Sequence, residues 1–394
     1  MKKIVMFSVA ALALASCSQD EIISDVRSNG ADNGLIAFRP RAAKASRALD
    51  LTTDNIQSFM VFGYKGSPED IDEGLITEMT NYFGGWVEFK RDNNYPGYFN
   101  SDKPYYYPTD NSMMYFPAYA PVELNEGAEV SAPKTGGLEI AGFTVADKID
   151  EQVDLLFGCS VGRWSESADD ISMDFEHMLS KVYVSQAKNE DTRYKYEVAG
   201  VKFGNIYKSG NCKYNTSDLW MEPDADGVKE IDTEKYPGID SEKNGRPILW
   251  SVPDTAKLCT IEYIFDEAIE IGSDFTNIMD GCAEDAEASK TASFLMLPQQ
   301  LTYEEAGEGN GDDEATIVFK KGVSYVALLI RITYAQTGEI IYPYAKGVEN
   351  ITEEVEGVKY AWAALPVSSK WMASSYHFYN IDFSHGAGYV APGA

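Results

Sequence analysis

Short runs in which apolar and polar residues alternate dominate this chain of 394 residues, and long stripes with a 3.6-residue period do not appear. In residues 194–199 (YKYEVA), Tyr194, Tyr196 and Val198 share one side of the alternation, which is typical of a half-buried strand. Residues 323–334 (VSYVALLIRITY) are apolar on both faces and rich in β-branched side chains. This second pattern predicts a central strand that is covered on both sides.

Turn residues separate these runs and indicate how the strands connect. Residues 336–339 (QTGE) form a turn signal between the central run and the returning segment IIYPY, which predicts a hairpin. Residues 174–185 (DFEHMLSKVYVS) are predicted to open with a helical turn and to end as a strand. The pattern as a whole predicts an all-β protein, built as two sandwiches.

The length favours two domains, each large enough for its own core. Residues 186–193 (QAKNEDTR) form a polar stretch between two strand-like runs, so we predict an N-terminal sandwich over 34–188 and a C-terminal sandwich over 189–394. The acidic, turn-rich residues 215–244 and the stretch 307–314 (GEGNGDDE) are predicted to be surface loops.

The first residues have the layout of a secretory signal. Lys2 and Lys3 precede an apolar run over 4–15, and this run is shorter than the roughly 20 residues that a membrane-spanning helix needs. The sequence LASC ending at Cys17 is similar to the bacterial lipobox, in which cleavage before the cysteine exposes it for lipidation.

We therefore predict a signal peptide over residues 1–16, a lipidated tether over 17–33 and an outer-membrane lipoprotein at the cell surface. The alternative is an ordinary signal peptide with an incidental cysteine. The acidic residues after Cys17 are similar to the export tag of surface lipoproteins in the Bacteroides group.

The charge of the chain excludes one class of partner. The 33 basic and 62 acidic residues give a formal net charge of −29, and the basic residues do not cluster. Nucleic-acid binding requires a basic face, so we expect no nucleic-acid partner. Four further cysteines, with no CxxC spacing, leave their pairing open: Cys159, Cys212, Cys259 and Cys282.

One stretch resembles a catalytic motif. Residues 158–162 (GCSVG) match G-x-S-x-G, the nucleophile elbow of α/β-hydrolases, which requires a strand before the serine and a helix after it. The residues that follow, 163–170 (RWSESADD), are polar and have no helical stripe. We therefore expect no enzymatic activity.

Metal-binding patterns are also weak. The histidines His177, His377 and His385 lack a partner at ligand spacing, and packing or surface roles are favoured for them. Residues 224–227 (DADG) resemble the start of a calcium loop, but no glutamate stands at the closing position. The sequence predicts no metal and no cofactor.

Aromatic residues allow a role in glycan binding. Exposed tryptophans can stack on sugar rings, whereas buried ones fill sandwich cores, and the sequence leaves both open. The tryptophans that we single out are Trp86, Trp164, Trp220 and Trp250.

Five stretches together resemble the fimbrillin family, the pilin-like lipoproteins of Bacteroides relatives. They occur in the order and spacing typical of the family, and they extend over nearly the whole chain after the signal peptide. They are YYYP at 105–108 with MYFPAYAP at 114–121, QVDLLF at 152–157, ISMDFEHMLSKV at 171–182, FLMLPQ at 294–299, and residues 371–389 with YHFYNIDF at 376–383.

The resemblance implies two transthyretin-like β-sandwich domains in tandem and a structural role as a fimbrial subunit. It also implies that an arginine-specific protease removes the first strand and that a strand of another subunit fills the vacated groove. Arg47 matches the cleavage pattern best, and Arg41 and Arg39 are alternatives. The strand that would be displaced consists of Leu35, Ile36, Ala37 and Phe38.

An ordinary basic loop after an edge strand is the competing interpretation of residues 39–53. Fimbrillins that donate a C-terminal strand carry more sequence after the glycine-rich motif near residue 388 than this chain does. Stalk, tip and anchor roles therefore remain open, as does a surface lipoprotein that does not polymerise and binds host or bacterial glycans.

Overall fold

The computed structural model describes most of the chain in nine stretches. These are residues 34–42, 51–95, 97–164, 171–214, 248–279, 293–301, 322–343, 352–384 and 389–392.

Strands make up nearly all of the regular structure in these stretches, which confirms the all-β prediction. A one-turn α-helix at Pro68–Asp72 and a 3-10 turn at Ile149–Glu151 are the helical elements among the described residues. The first nine strands are β1 (Phe38–Ala42), β2 (Ser58–Lys65), β3 (Thr80–Arg91), β4 (Phe99–Asn100), β5 (Met114–Ala120), β6 (Glu129–Ser131), β7 (Leu138–Thr144), β8 (Leu156–Gly162) and β9 (Ile171–His177).

The remaining strands follow in the second half of the chain. They are β10 (Ser180–Lys188), β11 (Tyr194–Ile206), β12 (Ser209–Tyr214), β13 (Leu249–Ser251), β14 (Cys259–Ile271), β15 (Thr276–Asn277), β16 (Phe294–Met296), β17 (Gln299–Gln300), β18 (Tyr325–Tyr334), β19 (Ile340–Tyr342), β20 (Thr352–Val355), β21 (Val358–Pro366), β22 (Lys370–Trp371), β23 (Tyr376–Asp382) and β24 (Tyr389–Pro392).

Seven of these strands close into a barrel in the N-terminal half. Their order around the barrel is β1-β4-β3-β2-β5-β8-β9. Most neighbours are antiparallel, but β1 runs parallel to β9. The barrel encloses its own aromatic core, to which Phe38, Phe59, Phe89 and Phe116 contribute.

The other strands form two larger sheets and two smaller ones. One large sheet has the order β14-β11-β18-β21-β20 with β19 beside β18, and the other has the order β15-β10-β23-β24 with β16 beside β10. The smaller sheets are β13-β12-β7-β6 and β17-β22. A second and larger core cluster lies between these sheets and reaches the outer wall of the barrel at Tyr64 and Tyr119.

The strongest sequence patterns became the expected strands. Tyr196 and Val198 are buried in β11, and β18 lies between β11 and β21 with Leu328 and Leu329 almost fully buried. β19 pairs with the end of β18 and completes the predicted hairpin.

The helical turn predicted near residue 174 is wrong. β9 extends to His177, Met178 and Leu179 form a short break, and β10 starts at Ser180. Phe175, Met178 and Leu179 are spaced like one face of a helix. They are instead buried in different places, since Phe175 belongs to the barrel core and the other two belong to the larger core.

The domain division at 188/189 and the transthyretin-like tandem arrangement remain predictions. Strands pair across that position: β7 pairs with β12, and β10 pairs with β23 and β16. The predicted signal peptide, the tether and both predicted surface loops lie outside the described residues. Within the described stretches, no helix has the length and apolar character needed to cross a membrane.

Candidate assembly site at the first strand

Leu35, Ile36, Ala37 and Phe38 lead into the first strand of the barrel. Leu35 forms an isolated antiparallel bridge with Tyr106, and the Ile36 amide donates to the Tyr105 carbonyl at 2.8 Å. The regular strand begins at Phe38. The four residues that the sequence singled out are therefore the entry to β1 and its first member.

The main-chain pairing of β1 is unequal on its two sides. All five residues of β1 pair with β9, from Phe38 opposite Ile171 to Ala42 opposite Phe175. On the other side only Phe38 pairs with β4, at Phe99. The seam between β1 and β4 is thus the least-paired junction of the closed barrel.

Pro40 fits this one-sided arrangement. The Ala37 carbonyl accepts a hydrogen bond from the Ile171 amide at 3.2 Å, so Ala37 directs its main-chain groups toward β9. Successive residues of a strand direct these groups to alternate sides, which places those of Pro40 toward the seam. Proline has no N–H to donate, and it occupies the side where β1 needs no donor.

The inward-facing side chains of β1 are tightly packed in the barrel core, unlike those of a loosely attached edge strand. Phe38 is fully buried, and its ring centroid lies 4.8 Å from that of Phe89 and 5.3 Å from that of Phe116. Ile36 is 1% exposed, and Pro40 is also buried. Burying one side chain of this size stabilises a fold by about 1.5–3 kcal/mol. Without β1, the barrel would present an apolar slot lined by phenylalanine rings beside an unpaired edge of β9.

The alternative cleavage residues lie within β1 itself. Arg39 is half-buried and Arg41 is exposed, and both belong to the ladder with β9. Residues 39–42, the first part of the exposed loop predicted for residues 39–53, therefore belong to a strand, in which buried and more exposed side chains alternate from Phe38 to Arg41. Cys17 and Arg47 lie outside the described residues.

Hydrogen bonds hold the described chain at Leu51, Thr53 and Ile56, and the first two of these residues belong to the predicted loop over 39–53. The Leu51 amide donates to the Asp154 carboxylate at 2.8 Å, and the other oxygen of Asp154 lies 2.9 Å from His177 Nδ1. The Asp154 side chain is fully buried and that of His177 nearly so. The Arg91 guanidinium also donates to the carbonyls of Thr53 and Ile56, both at 2.7 Å.

Sequence reasoning missed this anchor. Asp154 and His177 are 23 positions apart, and only the pairing of β8 with β9 brings them together. The signal that was available is QVDLLF, in which a single acidic residue interrupts an apolar run. An isolated charge in such a run is expected to have a buried partner.

Where the structure describes them, the residues with catalytic or metal-binding patterns do not form a second site. Residues 158–162 lie within the continuous strand β8, with Ser160 paired to Phe116, so the turn that a nucleophile elbow needs does not occur there. His377 lies in β23, and His385 and residues 224–227 are outside the described stretches. Among the described residues, no group of three or more histidine, cysteine or acidic side chains is placed to hold a metal ion.

The four tryptophans are separated by the fold. Trp250 is buried and donates to the Met178 carbonyl, and Trp86 packs edge-on against Phe62. Trp164 is 37% exposed and lies against Gly34 at the entry to β1. Trp220 is outside the described residues. Of the four cysteines after Cys17, Cys212 and Cys259 are free thiols, Cys159 Sγ lies 3.5 Å from the Tyr214 hydroxyl, and Cys282 is outside the described residues.

A family model described as fimbrillin-like matches residues 46–390. The chain belongs to the fimbrillin-like family. This confirms the resemblance drawn from the five sequence stretches. The matched residues begin after β1. The family model therefore covers the strands that surround β1 and does not cover β1 itself.

Solved structures similar to this fimbrillin-like chain come from related bacteria. A fimbrial protein from Bacteroides vulgatus has 14% sequence identity and a TM-score of 0.45, over 91% of this chain and 98% of that one. A candidate cell adhesion protein from Bacteroides ovatus has 12% identity and a TM-score of 0.42, over 91% of this chain and 96% of that one. None of the curated proteins compared with the chain matches it.

Proposed function

We propose that this fimbrillin-like protein is a structural or adhesive fimbrial subunit that assembles by strand exchange. It would be anchored through lipid on Cys17 during export. An arginine-specific protease would then cut at Arg47, with Arg41 and Arg39 as the alternatives. The segment containing Leu35, Ile36, Ala37 and Phe38 would leave with β1, and a strand from another fimbrial subunit would take its place.

The observation that carries this proposal is the contrast between the side chains of β1 and its main-chain pairing. The rings of Phe59, Phe89 and Phe116, which Phe38 covers, make the empty slot apolar and therefore unfavourable in water. The ladder on one side, to β9, offers a continuous template for a new strand. The seam to β4 adds one main-chain pair only, so release of the strand, once its covalent link is cut, breaks the ladder to β9 and the bonds of Leu35 and Ile36 but no second ladder.

The segment from Leu51 to Ile56, which hydrogen bonds hold on the barrel, supports the same mechanism. Leu51 bonded to Asp154, together with the contacts of Arg91, holds the chain immediately after the cleavage position. A cut at Arg47 would therefore leave the new N-terminus attached to the barrel by hydrogen bonds that do not involve β1. The remainder is expected to stay folded long enough to receive a strand.

Limited digestion of the intact protein tests the proposal. An arginine-specific protease should first cut at Arg47 and leave a folded remainder that starts at Ala48, as read by mass spectrometry and circular dichroism. Arg47→Gln should abolish this early cut, while Arg41→Gln should leave it unchanged. After cleavage, oligomer ladders that resist sodium dodecyl sulfate should appear. Digestion of the core, or a loop that resists the protease, would overturn strand exchange.

The anchor has its own test. Cys17→Ser should remove the mass of the acyl chains and release the protein from the outer membrane. Stable anchoring takes more than one acyl chain, and the variant lacks the cysteine that would carry them. Membrane fractionation and mass spectrometry read the two effects. An unchanged membrane fraction would contradict the lipid anchor and leave strand exchange untouched.

A second candidate function is glycan binding by an aromatic surface. The supporting observation is that Trp164 is exposed beside Gly34, where the Leu35 bridge also brings the exposed ring of Tyr106 to the entry of β1. Binding on a glycan array that is lost in Trp164→Ala and kept in Trp86→Phe would favour this function. No binding by the intact protein would remove it.

A further inference from the structure

A tyrosine ring lies across the seam from Arg39, at the point where main-chain pairing between β1 and β4 is absent. The Arg39 guanidinium carbon is 4.3 Å from the centroid of the Tyr98 ring, and its Nη2 hydrogen-bonds the Tyr98 hydroxyl. Tyr98 is 1% exposed and directly precedes β4. A side-chain contact therefore joins the two strands beyond their single main-chain pair.

The main chain at Tyr98 is held by hydrogen bonds that do not involve β1. The Asp92 amide donates to the Tyr98 carbonyl at 2.8 Å, and the Tyr98 amide donates to the Tyr95 carbonyl at 3.1 Å. The Asp92 carboxylate accepts from the amides of Asn94 and Tyr95 and from the side chain of Asn100. These bonds belong to the connection between β3 and β4, so the main chain that carries Tyr98 would keep its position in an empty slot.

The neighbouring arginine provides an internal comparison. Arg41 points to the same outer side of β1, two residues further along, and is exposed. Among the described residues, neither an aromatic ring nor a carboxylate contacts its side chain. The two arginines carry the same charge, but only Arg39 is placed over a buried ring.

We propose that the β1 slot recognises an arginine at the position of Arg39 in whichever strand occupies it, with Tyr98 as the reading residue. This inference rests on the proposed function and names its partner. The incoming segment would be extended and parallel to β9. It would carry a large aromatic side chain at the position of Phe38, arginine at the next, and a residue that needs no N–H donor at the position of Pro40.

The chemistry explains why arginine fits better than other residues. A planar guanidinium can lie over the ring face and donate an N–H to the hydroxyl at its edge, whereas lysine offers a point charge on a flexible stem. Because the ring is buried, the attraction is screened less by water than at an exposed site. A neutral strand would leave the ring covered but without its cation.

Peptide exchange into the cleaved protein tests the inference. The full chain is cut with the arginine-specific protease, and a labelled peptide of residues 34–42 (GLIAFRPRA) is added while fluorescence anisotropy follows its entry. Arg39→Gln in the peptide should weaken binding about tenfold, since a partly desolvated cation–π contact of this kind has about that effect. Arg41→Gln, the matched control, should change binding by less than about twofold.

Two further variants separate the parts of the contact. Arg39→Lys in the peptide should bind between the wild-type and Arg39→Gln peptides. Tyr98→Leu in the protein should bind the wild-type and Arg39→Gln peptides equally, because the residue that distinguishes them is gone. Tyr98→Phe should keep most of the preference, because the ring remains.

The outcomes distinguish this inference from the proposed function. If all peptides enter with equal affinity, strand exchange stands and recognition of arginine is overturned. If no peptide enters, both are overturned. If the protease does not produce the cut form, hydrogen exchange of the intact protein decides: Arg39→Gln should raise exchange at Met173 and Phe175 about tenfold over Arg41→Gln, and equal exchange overturns the inference.

Discussion

β1 and β18 are both strands that bury large apolar side chains, yet the fold holds them in different ways. β18 pairs along its length with β11 and along its first half with β21, and its first six residues lie inside ladders on both sides. β1 has a complete ladder on one side and a single pair on the other. Both bury large side chains, so the difference lies in the main chain.

This difference means that a strand can be held firmly by side-chain burial and still be released after a single cut. Side-chain burial contributes most of the free energy that keeps either strand in place. Departure of β18 would break its ladders to β11, β21 and β19 and divide a sheet, whereas departure of β1 would break one ladder and open a seam. A protein can therefore keep β1 firmly attached while it remains the strand that a single cut can release.

Truncation of the buried ring of β1 should have the largest effect. Phe38→Ala should lower the free energy of opening β1 by about 3–5 kcal/mol, because three neighbouring rings lose their contact. Hydrogen exchange should increase along β9 and β4 and remain unchanged in β11 and β18. Phe38→Leu is the control and should lose much less. A uniform rise in exchange across the molecule would show that β1 does not open separately.

Truncation in the central strand should act globally. Leu328 is 2% exposed in the larger core, so Leu328→Ala should lower the global free energy of unfolding by about 2–5 kcal/mol in urea denaturation. Leu328→Met preserves the volume and should cost less than about 1.5 kcal/mol. A local effect confined to β18 would remove the contrast with β1.

Removal of the Asp154 carboxylate, which anchors Leu51 on the barrel, should lower the stability of the barrel moderately. Asp154→Ala leaves the Leu51 amide and the His177 ring without their shared acceptor, at a cost of about 2–3 kcal/mol. Differential scanning calorimetry of the intact protein should show a lower midpoint, and the protein cut at Arg47 should lose more than the uncut one. The exposed Asp150→Ala is the control. Equal losses before and after cleavage would mean that the anchor does not hold the new N-terminus.

The smallest predicted effect depends on pH and tests the C-terminal sheet. Burial lowers the pKa of His377 to about 4, from an ordinary value of 6.5, and its Nε2 accepts the Met372 amide at 3.1 Å. The unfolded chain takes up the proton first, so stability should fall as the pH decreases from about 6.5 to about 4. After allowance for its partial exposure, the loss is about 1–2 kcal/mol.

The variant His377→Gln isolates this contribution. Glutamine can accept the same amide proton but does not titrate, so the stability of the variant should change less over that pH range. Urea denaturation at several pH values measures the difference between the two proteins. Parallel pH profiles would mean that His377 does not titrate on unfolding.

Some features of this chain were predictable because they depend on local pattern. The run 323–334 is apolar on both faces, and a strand of that kind needs cover on both sides wherever it lies, so its central place in a sheet follows. The strand predicted over residues 35–38 coincides with β1 only at Phe38, because the alternation of buried and exposed residues continues to Arg41 in a segment that was predicted to be a loop. The five family stretches were readable for the same reason, since they are contiguous in sequence.

Other features depend on which segments meet, and no local pattern specifies that. The helical turn predicted near residue 174 failed because Phe175 and Met178 enter different cores, and only their sheet neighbours decide this. The anchor of Leu51 on Asp154 spans 103 positions, and the contact of Arg39 with Tyr98 spans 59. Each needs the barrel to close before the two groups come within reach.

The sequence by itself determined that this protein is built from strands, that it belongs with the fimbrillins and that the segment leading into its first strand is apolar. Those properties follow from side-chain chemistry repeated along the chain. Only the tertiary structure decided that β1 pairs fully with β9 and almost not at all with β4. The reason is that the pairing of a strand is set by the strands that closure of the barrel brings beside it. The same segment would be held on both sides in one fold and on one side only in another.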